Sequence, residues 1–207
     1  MKKYSTEQRS PEWEQLRKTH ITGTALKGIM GTPKARQEAI YEVIADRLTV
    51  GVESDEEYEN PMARGTRLEP DAIAEFEFAT GKKVERVGFC ESDDIKEVAQ
   101  SPDGYIADTN DTEAIEVKSM GGKNHVKLWL TNEVPDEYYW QVIQYFVVND
   151  KLEKLYFVGF NPQIPVHSLH IIEIKRDDLE SDIKKAKESQ KVFLQEVESI
   201  LKTLIKI

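Results

Sequence analysis

One cysteine, Cys90, among 207 residues excludes an internal disulfide, a multi-cysteine metal cluster and a zinc knuckle. No apolar run approaches the length needed to span a bilayer, and the opening MKKYSTEQRS lacks the apolar stretch of a secretion signal. A soluble, cytoplasmic protein is therefore expected. Basic charge is also scarce. With 38 acidic against 28 basic residues the formal net charge is −10, which argues against broad attraction to nucleic acid. The surplus is uneven, however. Residues 53–59, ESDEEYE, hold five acids and no base, whereas residues 17–36 carry Arg17, Lys18, Lys27, Lys34 and Arg36 with no acid. Local field counts for more than the sum, so a nucleic-acid partner stays open. A site that gathers cations would also appear as surplus carboxylate.

Internal repeats and low-complexity segments are absent as well, and the length suits one substantial core. Ser10-Pro11 is a helix start, and Thr22 is placed to cap a second helix that runs through Met30. A third helical run covers about 36–50. Asn60-Pro61 opens another, with Met62, Leu68, Ile73, Phe76 and Phe78 apolar and Gly81 closing it. From about 83 to 119 short β-branched or alternating segments lie between Asp-Gly, Asn-Asp and Asp-Asp turns. Helices follow at about 122–130 and 135–149, then strands KLYFVGF and SLHIIEI, then a long helix from about 177. Its apolar stripe, from Leu179 through Phe193 to Leu204, is the kind that covers a core. This order predicts a single α/β or α+β domain over 1–207.

The chemistry lies in SPDGYIADTNDTEAIEVKS, residues 101–119. Strand alternation puts Glu116 and Lys118 on one face and Val117 on the other. Asp103 precedes the neighbouring strand GYIAD, so the three polar side chains are expected to converge at one sheet edge. Carboxylates held close repel, and a divalent cation is the usual offset. Oxygen ligands favour Mg2+ or Mn2+, which polarise a phosphoryl oxygen and lower the pKa of a bound water. Lys118 would orient that water. The competing reading is a surface strand with a weak same-face ion pair. Glu69, just before Pro70, adds a third candidate acid, although a solvated helical glutamate is the plainer reading. In YYWQVIQYFVV, Gln141 and Tyr145 stand four apart on one helix face, and their polar atoms need partners if buried.

Together these residues resemble the PD-(D/E)xK nuclease superfamily, and within it the lambda exonuclease and YqaJ-like recombinases. The motif stands as SPDG, a separation of thirteen residues, then EVK, followed by Q-x-x-x-Y as QVIQY. SPEWEQLRKTHITGTALKGIMG also looks like the family's N-terminal segment, with ITGT in place of Ile-Thr-Ala-Ser. The resemblance implies a restriction-endonuclease-like core, a central mixed sheet flanked by helices. It implies metal binding by Glu69, Asp103, Glu116 and the Val117 carbonyl, with Lys118 at the water and Gln141 and Tyr145 beside the site. Arg17, Thr22 and Thr24 match a segment that helps to hold the 5′-phosphate end. The implied activity is 5′ to 3′ digestion of one strand of linear duplex DNA for phage-type recombination. A single-strand annealing partner and a homo-trimer through which DNA threads go with it.

Duplex is expected to run along some of Lys27, Lys34, Lys123, His125 and Lys127. An endonuclease of the same superfamily and a non-catalytic DNA-binding protein on a nuclease fold remain alternatives. Intact Glu69, Asp103, Glu116 and Lys118 speak against the latter, since adjacent buried acids are costly to keep. His20, His125, His167 and His170 are not spaced as a zinc set, and His170 is expected to be packed or hydrogen-bonded.

Overall fold

Ser10 begins the first helix, α1 (Pro11–Lys18), by accepting the Trp13 N–H while Pro11 takes the first helical position. The computed structural model describes residues 1–48 and 61–205, so the acidic run at 53–59 lies outside the described residues. Helix α2 (Gly23–Ile29) follows with Thr22 at its N-cap, although the Thr22 side chain makes no capping bond. Helix α3 (Pro33–Leu48) starts earlier than the sequence indicated, because Thr32 Oγ1 accepts the Ala35 N–H and Pro33 fits the first turn. Helix α4 (Pro61–Thr80) runs through Pro70 and stops at Gly81, whose φ of +72° suits glycine.

Two sheets result. Strand β1 (Lys2–Tyr4), not foreseen in the sequence, pairs with β3 (Phe89–Glu91), which pairs with β4 (Ala99–Gln100). The main sheet comprises β2 (Val84–Glu85), β5 (Gly104–Ile106), β6 (Glu113–Ser119), β7 (Lys154–Phe160) and β8 (Leu169–Lys175), in the order β2-β5-β6-β7-β8. Within this sheet, among the described residues, only the β6–β7 pair is parallel. Its crossover consists of α5 (Gly122–Thr131) and α6 (Asp136–Val148). Helix α7 (Glu180–Ile205) ends the described chain. The architecture is therefore the expected one, a mixed sheet flanked by helices. The expected placing of the acids at a sheet edge is corrected: β6 is the middle strand of five. A short hairpin joins it to β5 on one side, and the helical crossover sets β7 on the other.

Alternation along β6 and β7 divides the core. Ile115, Val117, Tyr156 and Val158 pack with Leu68, Ala72, Ile73 and Phe76 of α4. Ala114, Leu155 and Phe157 pack on the opposite face with α2, α3, α6 and α7 residues such as Leu26, Ile40, Phe146 and Phe193. Burying each such aromatic contributes about 1.5–3 kcal/mol. The α7 stripe does cover the core at Ile183, Ala186, Phe193 and Val197, and only Leu204 at its end is exposed. Phe78, by contrast, is 91% exposed: two residues past buried Phe76, it falls on the far side of α4. Among the described residues no helix is long and apolar enough to cross a membrane.

Candidate active site

The centre of the site is a charge that the sheet buries. Glu116, in the middle strand, is 1% exposed. Its Oε1 accepts the Gln141 amide N–H at 2.6 Å and lies 2.5 Å from Lys118 Nζ, while its Oε2 accepts the Tyr145 hydroxyl. Strand spacing delivers Glu116 and Lys118 to one face, and helical spacing delivers Gln141 and Tyr145 to meet them. Every carboxylate oxygen thus has a donor, as burial of an ion demands. The Tyr145 oxygen also stands 3.2 Å from the Asp103 N–H and 3.2 Å from the Ile115 carbonyl. The tyrosine therefore ties α6 to both strands.

Asp103 arrives from the Ser-Pro-Asp-Gly turn that leads into β5. Its Oδ2 accepts the Val117 N–H at 2.7 Å, which fixes the carboxylate against the middle of β6. Burial, and then the nearby Glu116, push the Asp103 carboxyl well above the usual carboxylate range. Lys118 opposes this and Glu69 adds to it, so all three acids act on one region. Burial would depress the Lys118 ammonium, but Glu116 and Asp103 outweigh it and hold its pKa above the ordinary value. Burial together with Glu116 and Asp103 drives the Tyr145 phenol far above its usual range, so it stays a donor.

Glu69 is 7% exposed on α4 and faces two arginines, Arg9 Nη2 at 3.4 Å and Arg86 Nη1 at 3.3 Å. Neither arginine was legible as a site residue, since three segments far apart in the chain meet there and no spacing links them. Arg9 sits at a φ of 68°, in the left-handed region. Among the described residues, no group of three or more His, Cys, Asp or Glu side chains is arranged to hold a metal ion. The acid oxygens instead face Lys118, Gln141, Tyr145, Arg9 and Arg86.

Arg17 comes to the same turn as Asp103. Its guanidinium lies over the Trp13 ring at 4.6 Å and its Nη1 is 3.4 Å from Ser101 Oγ. Trp13 Nε1 donates to the Gly88 carbonyl at 3.0 Å and to Ser101 Oγ at 3.1 Å, which pins α1 against the turn. Thr22 is buried and Thr24 exposed at the start of α2. Between them Gly23 lets α2 approach α6: a Cβ there would lie 2.6 Å from Gln100 Oε1 and 3.2 Å from Gln141 Cγ. The Thr22–Thr24 segment thus borders the motif helix.

Lys123 and Lys127 are exposed on α5, and Lys127 shares a cleft of about 510 Å³ with Lys27. Glu133, Asp136 and Glu137 line that cleft too, so its field is mixed. His125 is not a surface residue, contrary to expectation. It is fully buried, because α5 turns that position toward β7, and its Nε2 lies 2.7 Å from the His167 carbonyl. His170 is hydrogen-bonded as anticipated, but the structure also gathers residues the sequence did not connect. His167 Nε2 is 3.0 Å from His170 Nδ1, His170 Nε2 is 2.9 Å from Asn132 Oδ1, and Trp129 stacks on His167.

Comparison with known proteins bears on the family and the fold. Among curated proteins no sequence match is found. Among solved structures, the chain is similar to an alkaline exonuclease, LHK-Exo, from Laribacter hongkongensis, with 28% identity and a TM-score of 0.82 over 94% of this chain and 96% of that one. The same protein in complex with dAMP gives 26% identity and a TM-score of 0.80 over 95% and 99%. A phage-related exonuclease from Haemophilus somnus 129PT shares the fold, with 18% identity and a TM-score of 0.58 over 87% of this chain and 96% of that one. The family model of the YqaJ-like viral recombinase domain matches residues 12–151, a span that holds Glu69, Asp103, Glu116, Lys118, Gln141 and Tyr145. The chain belongs to the YqaJ-like viral recombinase domain family.

Proposed function

We propose that the protein is a Mg2+-dependent exonuclease that degrades one strand of linear double-stranded DNA from 5′ to 3′, with Mn2+ able to substitute. One observation carries the reading. Asp103, its Oδ2 fixed by the Val117 N–H, and the buried Glu116, 2.5 Å from Lys118 Nζ, meet on the middle strand of the sheet, and burial and then Glu116 raise the Asp103 carboxyl. Such a crowd of oxygen donors is stable as anions only beside added positive charge. Asp103, Glu116, Glu69 and the Val117 carbonyl are oxygen donors of the kind that suits Mg2+ or Mn2+, and they would hold the cation once the acids turn from their present partners to it. When bound, the cation supplies charge neutralisation at the phosphate and a more acidic water.

The chain's own residues do the rest. Lys118 holds and polarises the attacking water, Gln141 and Tyr145 fix the Glu116 carboxylate, and the Val117 N–H fixes Asp103. Arg17, Thr22 and Thr24 receive the 5′-phosphate end, and Lys123 and Lys127 meet the duplex backbone. The likeness to an alkaline exonuclease over nearly the whole chain supports this assignment. Membership of a viral recombinase family supports a role in recombination. In this reading the recombination is by single-strand annealing in the cytoplasm, with an annealing protein as partner and a homo-trimer as the working form.

End-labelled linear duplexes, with and without a 5′-phosphate, test the reading together with a covalently closed circle. Mg2+ should give progressive release of nucleotides from 5′ ends, with phosphorylated ends preferred, and excess EDTA should stop it. The circle should survive. Cutting of the circle would favour the endonuclease alternative, and full activity in EDTA would defeat the metal assignment.

A further inference from the structure

We propose that Tyr138, which lies outside the family's motif strings, is a positioning residue that holds the Lys118 ammonium in place; this rests on the nuclease reading above. Lys118 Nζ lies 2.5 Å from Glu116 Oε1 and 4.9 Å from the centroid of the Tyr138 ring. Tyr138 precedes Gln141 by three residues and Tyr145 by seven, so α6 turns all three toward the Glu116–Lys118 pair. The helix therefore presents a π-face, an amide and a hydroxyl in a row.

The ring is well anchored. Its backbone N–H donates to the Pro135 carbonyl at 2.8 Å in the first turn of α6, and its ring packs at 5.8 Å from that of Phe157 in β7. Lysine is a point charge on a flexible four-carbon stem, and one carboxylate contact leaves that stem several rotamers. A fixed π-face narrows the choice, since an ammonium is drawn to the ring's negative face and more so where water is partly excluded. The two contacts also differ in kind. Glu116 is shared with Gln141 and Tyr145, and with any cation that its carboxylate holds, whereas the ring gives Lys118 a second, uncharged contact. The ring, rather than the phenol hydroxyl, carries this role.

Tyr138→Leu should lower kcat on linear duplex by about tenfold, the size expected for a partly desolvated cation–π contact, with KM unchanged. Tyr138→Phe should recover most of the rate. In a Lys118→Ala background, Tyr138→Leu should cost nothing further, because the two residues act as a unit. A second readout needs no turnover. In metal-free protein labelled at lysine 13Cε, the Lys118 resonance, assigned through Lys118→Ala, should show a ring-current shift that Tyr138→Phe keeps and Tyr138→Leu abolishes. If Tyr138→Leu fails to fold, Tyr138→Met, closer to the ring's volume, stands in. A wild-type kcat in the Leu or Met variant, an unmoved Lys118 resonance, or equal damage from Phe and Leu would overturn the proposal. Absence of nuclease activity in the wild-type protein would instead overturn the nuclease reading, and the resonance would still report on the ring contact.

Discussion

Two buried polar networks hang from the same helix, three residues apart, and they differ in what they cost. Gln141 and Tyr145 reach into a cluster of charges in which Asp103 is driven up by burial and then by Glu116. Gln144, between them and fully buried, enters a neutral one. Its amide N–H groups face the carbonyls of Ala99 at 3.1 Å and Ile21 at 3.4 Å and the Gln190 side-chain oxygen at 3.1 Å. Gln190 in turn donates to the Ala186 carbonyl. The neutral network joins Ile21, just before the Thr22–Thr24 segment, the strand β4 before the Asp103 turn, and α7. It holds the scaffold. The charged network is kept in spite of its repulsion, which is the pattern of a site tuned for a ligand it must still receive.

The sharpest way to break this contrast is through Glu116. Glu116→Gln should lower nuclease turnover by more than about 10²–10³-fold, beyond the loss of one electrostatic stabiliser, because the cation's ligand goes too. Circular dichroism of the metal-free variant checks that it is folded, so that turnover is read per folded molecule. A smaller effect comes next, on the neutral side. Gln144→Leu should cost about 1–3 kcal/mol in denaturant unfolding, from the orphaned Gln190 oxygen and the lost bonds to two carbonyls. Turnover per folded molecule should change far less than in the Glu116 variant. If Gln144→Leu abolished activity in fully folded protein, the division between scaffold and site would fail.

The smallest effect sharpens the electrostatics. The Asp103 carboxyl is raised in the folded protein, so the fold binds its proton more tightly than the unfolded chain does. Its contribution is favourable at low pH and is lost as pH rises from the ordinary carboxylate range through the folded value. Asp103→Asn removes that penalty and can still accept the Val117 N–H. In EDTA, its melting temperature should exceed that of wild type by a few degrees at pH 8 and by less at pH 5. An equal difference at both pH values would show that Asp103 is not held up by its neighbours.

Much of the site was legible because its geometry is local. Strand alternation set Glu116 beside Lys118, and four-residue helical spacing set Gln141 beside Tyr145. The Ser10 cap, the β7 and β8 segments and the buried stripe of α7 were readable for the same reason: period and turn chemistry act within a few residues. What escaped came from distance. Arg9 and Arg86 reach Glu69 from separate segments, His125 turned out buried, and His167, His170, Asn132 and Trp129 meet without any shared spacing. Strand β1 was too short to carry a pattern.

By itself, then, the order of residues determined which side chains share a strand face or a helix face, since those periods belong to the backbone. Only the tertiary structure decided that β6 lies in the middle of the sheet, and that Asp103 docks on its Val117 N–H. The same is true of the buried ammonium that stands between a carboxylate and the Tyr138 ring. The reason is physical: pairing order, burial and the field at a carboxyl depend on segments that meet only after the chain has folded, and no local spacing encodes them.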